Sequence, residues 1–538
     1  MAEQIKYYDY IVIGSGFGGS VSALRLAQKG YSILVIEKGK WFKRDDFPKT
    51  NWKLRKWLWI PALRFYGIMR ISFFRHASIL SGTGVGGGSL VYANTLPLPR
   101  DNFFNTGSWK DLADWKKELD PFYKEGWRML GASINPKLEN GDLILKELAD
   151  QIGRRDHFEP TNVAVNFSEP NREIADPYFR GEGPPVTGCN FCGGCMTGCR
   201  YGAKNTLDRN YLWLAQKHGA EIISENEVID VKPSGSVDGS DGYIVTTREI
   251  TKFLMKKKGR YKAGGIVFAA GVLGTLKLLF RTGKSSLPRL SGRLGWDIRT
   301  NNESLSGIVS LDRTRDFTKG IAIGSILHTD ENSHLEPVRY GEGSGFWRLM
   351  MLPFTLGNNV FSRIGKMIIT WFRNPLDTLR ILFVRNWASR TQILLFMQHL
   401  DSTLRFVPGL RGLKTRNDIG NSPTPFIPEA KELADRFGNL VKGRAHVLAL
   451  EPLFGIPSTA HILGGAVMGE DPSDGVIDAE NRVFGYANML VCDGSMISAN
   501  PGVNPAISIV AITERAMSRI PEKAGESAFG KASAGEAG

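Results

Sequence analysis

The chain has 538 residues, a formal net charge of +14, 42% hydrophobic residues and 61 glycines. That length exceeds what one compact core holds and predicts two domains, while the ordinary composition excludes fibrous and disordered classes. No apolar run approaches the roughly 20 residues of a spanning helix, and no nucleic-acid motif accompanies the positive charge, so nucleic acid is not an expected partner.

The N-terminus, "MAEQIKYYDYIVIGSG", runs from a short polar lead into an apolar strand without the pattern of a signal sequence, so a cytoplasmic location is expected. From there "YDYIVIGSGFGGSVSALRLAQKGYSILVIEKG" reads as strand, glycine turn, amphipathic helix and second strand. Gly14, Gly16 and Gly19 form a G-x-G-x-x-G turn. The first glycine permits the bend, the second lets backbone approach a pyrophosphate, and the third lets helix pack on strand. Glu37 ends the second strand, where a carboxylate can hydrogen-bond a ribose hydroxyl. This unit serves FAD and NAD alike.

Residues 51–76 carry six Lys or Arg and no acid, and residues 346–400 carry seven against Asp377 alone, so the two segments supply most of the net charge. They also hold Trp52, Trp57, Trp59, Trp347, Trp371 and Trp387. Basic and aromatic character together predict a surface for anionic lipid headgroups, placing the protein on the inner face of a membrane. Between the segments, "GTGVGGGSLVYAN" at 82–94 is a second glycine cluster, which implies backbone lying against a ligand and tilts the cofactor towards FAD.

Cys189, Cys192, Cys195 and Cys199 follow C-x2-C-x2-C-x3-C, the spacing with which ferredoxins wrap thiolates around a cluster. A [4Fe-4S] or a [3Fe-4S] iron-sulfur cluster is expected, the second leaving one thiol free; structural thiols are the alternative. Arg200 stands where ferredoxins have proline, and no second run exists. Cys492, on an apolar stretch, reads as core. A cluster beside a flavin would let electrons leave singly to a quinone, ferredoxin or cytochrome.

With "GSGFGG", "GVGGGSLV", "GGIVFAAGVLGTLKLL" at 264–279 and the block from "AHILGGAVMG" through "MLVCDGSMISANPGVNPAISIVAITERA" in view, the chain resembles the glucose-methanol-choline flavoenzymes, and within them the cholesterol oxidase-like branch. The resemblance covers most of the chain. It implies an α/β fold: a Rossmann-like FAD-binding domain with a mainly parallel sheet, plus an α+β substrate domain. It also implies FAD at Gly14, Gly16, Gly19 and Glu37, a flavin-facing loop at Gly86, Gly87, Gly88 and Ser89, an adenine contact at Val228, and ribityl and pyrophosphate contacts at Asp493 and Gly494. The family's catalytic histidine and asparagine fall on His461 and Asn504, with Pro505 near the isoalloxazine ring. The family's isomerising glutamate matches Glu336 in "HTDENSHLEPVRYGEGS" loosely, with His334 a rival and an exposed loop acid the alternative reading.

The motifs divide the chain into an FAD domain of three segments, 1–100, 200–300 and 455–522, and a substrate domain of 101–199 with the cysteine loop and 301–454 with an insertion of basic amphipathic helices at 346–400. Residues 523–538 read as a disordered tail. The expected activity is hydride removal from a hydroxyl carbon of a sterol-like or isoprenoid lipid. Reduction or desaturation of such a lipid, flavin-dependent isomerisation, and lipid binding without catalysis are the alternatives.

Overall fold

The computed structural model describes residues 5–524 apart from 253–255, 358, 374, 411, 418–421 and 425; most of the expected disordered tail lies outside these residues. The chain opens with β1 (Lys6–Ile13), α1 (Phe17–Gln28) and β2 (Ile33–Ile36). It then leaves this layer for α2 (Trp115–Met129), α3 (Asn140–Gln151) and β3 (Phe158–Pro160). It returns with β4 (Glu221–Ile223), β5 (Asn226–Pro233), β6 (Tyr243–Glu249), β7 (Lys258–Phe268) and α4 (Gly271–Thr282). A second excursion holds β8 (Ser304–Ser310), β9 (Ser325–His328), β10 (Ser333–Val338), β11 (Met351–Pro353), α5 (Val360–Arg373), α6 (Pro375–Leu382), β12 (Thr391–Gln398), α7 (Pro428–Leu440), β13 (Gly443–Leu448) and α8 (Leu450–Phe454). The last elements are β14 (Met489–Val491) and α9 (Ala506–Ser518).

Two seven-stranded sheets result. The first runs β4-β2-β1-β7-β6-β5, with β14 also on β7. Its β4/β2, β2/β1, β1/β7 and β7/β14 pairs are parallel and its β7/β6/β5 meander is antiparallel. The expected mainly parallel dinucleotide sheet is therefore present. Strand β2 (ILVI) and the last four residues of β1 (YIVI) read as unbroken apolar runs because the sheet is covered on both faces there. Gly19 shows why the turn needs glycine: a Cβ there would sit 2.1 Å from the Gly14 carbonyl oxygen.

The second sheet, β11-β13-β8-β12-β10-β9-β3, is wholly antiparallel. Its pleat sorts side chains by face. Leu335, Leu394, Phe396 and Val447 pack with α3 and α7 residues such as Leu145, Leu148 and Phe437. Val338, Ile393 and Leu395 pack on the other side with Trp57, Trp347 and Trp387.

That packing corrects the reading of the two basic aromatic segments. Trp57, Trp59, Trp347 and Trp387 are buried, and Trp57 meets Phe346 and Trp347 edge to face. These indoles are core; Trp57, Trp347 and Trp387 fill the joint between the second sheet and the 47–90 segment. Within 346–400 the helices proper are α5 and α6, whereas 391–398 is a central strand of the second sheet.

Gly19→Val is expected to cost about 1–3 kcal/mol or more, because the added atoms overlap backbone that cannot move away. Thermal unfolding of the flavin-free protein checks this, with a clearly lowered midpoint as the outcome.

Candidate active site

One cavity of about 400 Å³ joins the two layers. Its dinucleotide end is lined by Gly14, Gly16, Glu37, Val228 and the start of α4 at Ala270 and Gly271. Gly16 faces open space, with no atom within 4 Å of a would-be Cβ, which is the clearance a phosphate approaching the α1 N-terminus needs. Gly87 and Gly88 also line the cavity, and a Cβ on Gly87 would lie 2.6 Å from the Gly16 Cα, so the two glycine loops abut. These features fit FAD.

Not every residue implied for that cofactor faces the cavity. Gly86 and Ser89 shape the loop instead: Gly86 has φ +101°, and the Ser89 hydroxyl donates to the Gly86 carbonyl at 2.7 Å and accepts from Leu207 N at 3.0 Å. Glu37 lines the cavity while accepting from the Ser15 hydroxyl at 2.8 Å and Gly39 N at 2.8 Å. Asp493, Gly494 and Pro505 line it too. The Asp493 carboxylate is held by Ser495 N at 2.8 Å and by the Thr275 hydroxyl at 2.5 Å, tying the C-terminal block to α4.

At the junction of the two ends stand His461 and Asn504. Glu303, fully buried just before β8, accepts from His461 Nδ1 at 2.9 Å, from the Thr459 hydroxyl at 2.6 Å and from Ala460 N at 3.1 Å. An imidazole donating through Nδ1 presents a bare Nε2. That atom lies 3.4 Å from Asn504 Nδ2. Burial disfavours the imidazolium, but the Glu303 charge and hydrogen bond outweigh it, with Glu336 adding, and the His461 pKa is raised. Glu303 escaped the sequence reading; a carboxylate directly before the apolar strand "SLSGIVS" was its one signal. Two residues earlier Asn301, at φ 60°, donates to Val503 O at 2.8 Å and accepts from Gly502 N at 3.1 Å, so the same turn braces the loop carrying Asn504.

Glu336 is no exposed loop acid. It sits on β10, buried completely, with neither carboxyl oxygen hydrogen-bonded. Burial pushes its carboxyl up to about 8, against the opposing pull of His461 and Asn504. His334, two residues back on the same face, is also fully buried, its Nε2 3.6 Å from Glu336 Oε1. His461, Asn504 and Glu336 therefore lie together, His461 and Asn504 in the cavity wall and Glu336 and His334 buried behind it.

The four cysteines do not fit an iron-sulfur cluster. Among the described residues no three His, Cys, Asp or Glu side chains are arranged to hold a metal ion. Cys189, Cys195 and Cys199 pack with Val163, Val165 and Ile321. Burial raises the thiols of Cys189, Cys192 (to about 11) and Cys195. The loop's direction is set by backbone: Gly193 N donates to Gly320 O and Gly320 N to Phe191 O, both at 2.8 Å. Lys204, buried beneath it, donates to Cys195 O and Tyr92 O at 2.9 Å, and Met196 reaches the cavity wall. The loop builds the wall of the site.

Comparison with known proteins agrees with this geometry. Residues 442–513 match the GMC oxidoreductase family model and residues 12–41 an NAD(P)-binding Rossmann-like domain. A cholesterol oxidase of Acinetobacter baumannii is 42% identical over 529 residues, covering 96% of this chain and 95% of that protein. One of Mycobacterium tuberculosis (strain CDC 1551 / Oshkosh) is 44% identical over 534 residues, covering 96% and 91%. The chain belongs to the GMC oxidoreductase family, in its cholesterol oxidase-like branch. It is an FAD-dependent oxidoreductase acting on CH-OH donors. The fold is shared with formate oxidase (TM-score 0.61, 12% identity, covering 96% of this chain and 98% of that one) and pyridoxine 4-oxidase from Mesorbium loti (0.59, 16%, covering 95% and 98%).

For this GMC enzyme, Glu303→Gln is expected to move the acid limb of the kcat/KM–pH profile to lower pH. The sign follows from the raised His461 pKa: neutral imidazole appears only above it, and loss of the Glu303 charge lowers it. An unmoved limb would show that Glu303 does not control His461.

Proposed function

We propose that the enzyme oxidises the hydroxyl of a sterol, or of a similarly rigid isoprenoid alcohol, to the ketone. The observation that carries this is the substrate end of the cavity, largely apolar and bearing His461 and Asn504, with Glu336 buried next to them. Leu305, Val338, Ile393 and Leu395 from one face of the second sheet, with Met69, Trp347, Met351 and Leu448, suit a flat hydrocarbon skeleton. Bound FAD supplies the acceptor for the hydride leaving the hydroxyl carbon. His461 Nε2 takes the hydroxyl proton, oriented by the Nδ1 hydrogen bond to Glu303, while the Asn504 amide fixes the hydroxyl oxygen without adding charge. The cholesterol oxidase relatives support this direction over reduction, desaturation or isomerisation. A cysteine-bound cluster is no part of this mechanism, so the reading that electrons pass singly to a quinone, ferredoxin or cytochrome has no structural support.

Anaerobic mixing with cholesterol is expected to bleach the flavin's visible band in wild type, and His461→Ala to slow bleaching by about 10²–10⁴-fold with FAD retained. Wild-type flavin that stays oxidised with cholesterol and with other sterol alcohols would refute the assignment.

Substrate entry from a lipid surface is the second part of this reading, resting on α5 and α6. Phe361, Phe372 and Phe383 are 83%, 81% and 77% exposed, alongside exposed Ile368, Ile369, Leu376 and Leu379. Exposed Lys366, Arg373, Arg380 and Arg385 accompany them, as suits anionic headgroups. The patch joins the cavity through α8: Leu448 lines the cavity, Arg363 of α5 donates to Pro452 O at 2.7 Å, and Phe454 is exposed. Among the described residues no helix is long and apolar enough to cross a membrane. Replacing Phe361, Phe372 and Phe383 together by Ser is expected to abolish co-sedimentation with phosphatidylserine-containing vesicles while sparing turnover of detergent-dispersed sterol. Unchanged sedimentation would reject this surface.

A further inference from the structure

Oxidising an alcohol beneath an apolar substrate leaves a proton with no obvious way out, since a bound hydrocarbon skeleton closes the cavity's open side. The second sheet offers a polar line leading away from it. On β10, residues 334, 336 and 338 point to the cavity face; Val338 lines the cavity, and Glu336 and His334 continue outward. His334 pairs across the strands with His328 of β9, whose ring meets it edge to face with centroids 6.0 Å apart. The next strand, β3, pairs with β9 and brings Glu159, 66% exposed, to within 4.0 Å of His328 Nε2. Successive groups thus run from Asn504 and Glu336 through His334, 3.6 Å away, to His328 and the surface acid.

Four polar atoms at the inner end of this line are buried with no hydrogen-bond partner: both Glu336 oxygens, His334 Nε2 and Asn504 Oδ1. Leaving so many unsatisfied is costly, and a purely structural sheet would fill these positions with leucine or valine, as it does at 335, 394 and 395. The 3.6 Å gap between Glu336 and His334 and the 4.0 Å gap between His328 and Glu159 are within reach of a bridging water or a small side-chain rotation, and the His334 and His328 rings meet with centroids 6.0 Å apart.

We propose that Glu336, His334, His328 and Glu159 form a proton relay that carries the substrate's hydroxyl proton from the closed site to solvent. The inference rests on the alcohol-oxidising reading above. The alcohol O–H bond breaks with its proton passing to His461 Nε2, and the carbon's hydride goes to the flavin. Glu336, protonated at rest, gives its own proton to His334 Nε2 and takes the imidazolium's proton in its place; His334 releases a proton from its other nitrogen to His328, and His328 releases one to Glu159 and water. One proton leaves per hydride transferred, and each relay group regains its starting state. A carboxyl at about 8 exchanges its proton readily near neutral pH. Both histidines, pushed down to about 3 chiefly by burial, stay neutral between transfers, with one nitrogen free to accept. Arg100, His157, His399, His461 and Glu303 face these groups, and the surrounding positive charge helps keep them unprotonated.

The first test needs no substrate. After rapid mixing of the FAD-loaded enzyme into D2O, the protonated-carboxyl stretch of Glu336, identified by its loss in Glu336→Gln, is expected to downshift rapidly in wild type and at least about tenfold more slowly in His334→Gln. Equal exchange rates in the two proteins would overturn the relay. The second test uses turnover with cholesterol: His328→Ala is expected to slow it about tenfold in dilute buffer, to raise the solvent isotope effect, and to regain the rate as imidazole is added. A wild-type rate without imidazole dependence, or a loss that imidazole does not restore while FAD absorbance is retained, would overturn it. Should cholesterol fail to reduce the wild-type flavin, the substrate assignment falls and the exchange measurement alone still decides the relay.

Discussion

The hydrogen bond between Glu303 and His461 organises the site. A carboxylate with no solvent exposure must be fully paired, and Glu303 achieves this with the imidazole, the Thr459 hydroxyl and the Ala460 amide. Removing a partner from such a group leaves buried charge uncompensated, at about 3–5 kcal/mol, so imidazole orientation and fold stability are the same constraint. The turn that delivers Glu303 also sends Asn301 to the Gly502–Val503 backbone. Asn301 and Asn302, both at positive φ, make that turn possible where a branched residue would be strained. His461 and the Asn504 loop, from distant parts of the C-terminal block, are thereby set by one short turn.

The second sheet performs two tasks through its pleat. One face holds the leucines and phenylalanines that bind α3 and α7; the other provides the smooth apolar floor of the cavity and, at its outer strands, the polar row of Glu336, His334 and His328. A shift of register by one residue on β10 would bury the leucine face against the flavin layer and turn the carboxyl into a hydrophobic core. Aromatic packing around Trp57 and Trp347 clamps the sheet against the N-terminal layer and resists such a shift.

How legible these features were depended on how local their causes are. The dinucleotide turn could be read outright, because strand period, glycine spacing and helix period all change within thirty residues and each has a steric cause. His461 and Asn504 were reachable through motif resemblance. Glu336 looked like a loop residue because its strand is polar, interrupted by Pro337 and reached by the tight turn Asp330–Asn332, and only pairing with β12 makes it core. Glu303 depends on contacts more than 150 residues away and leaves almost no local trace. The cysteine spacing is purely local, whereas the path of the loop is set by backbone bonds to Gly320, which the sequence does not show. Trp57 and Trp59 lie in a basic stretch, yet indoles pack inward while neighbouring Lys and Arg keep their heads in water.

The order of strands in the first sheet bears on how the protein is made. Strand β14, at 489–491, pairs with β7, and Asp493 locks onto Thr275. Lys523 then pairs with Asp9 at 2.8 Å, joining the last described residues to the first strand. While a ribosome is still synthesising residue 480, the cofactor groove lacks one wall and β1 lacks its final tether. The nascent chain must keep two partly covered apolar sheets from associating with other molecules for most of its synthesis. Stable flavin capture therefore waits for residues 489–493, and truncation before them removes a wall of the cofactor site even though its glycine turn lies at residue 14.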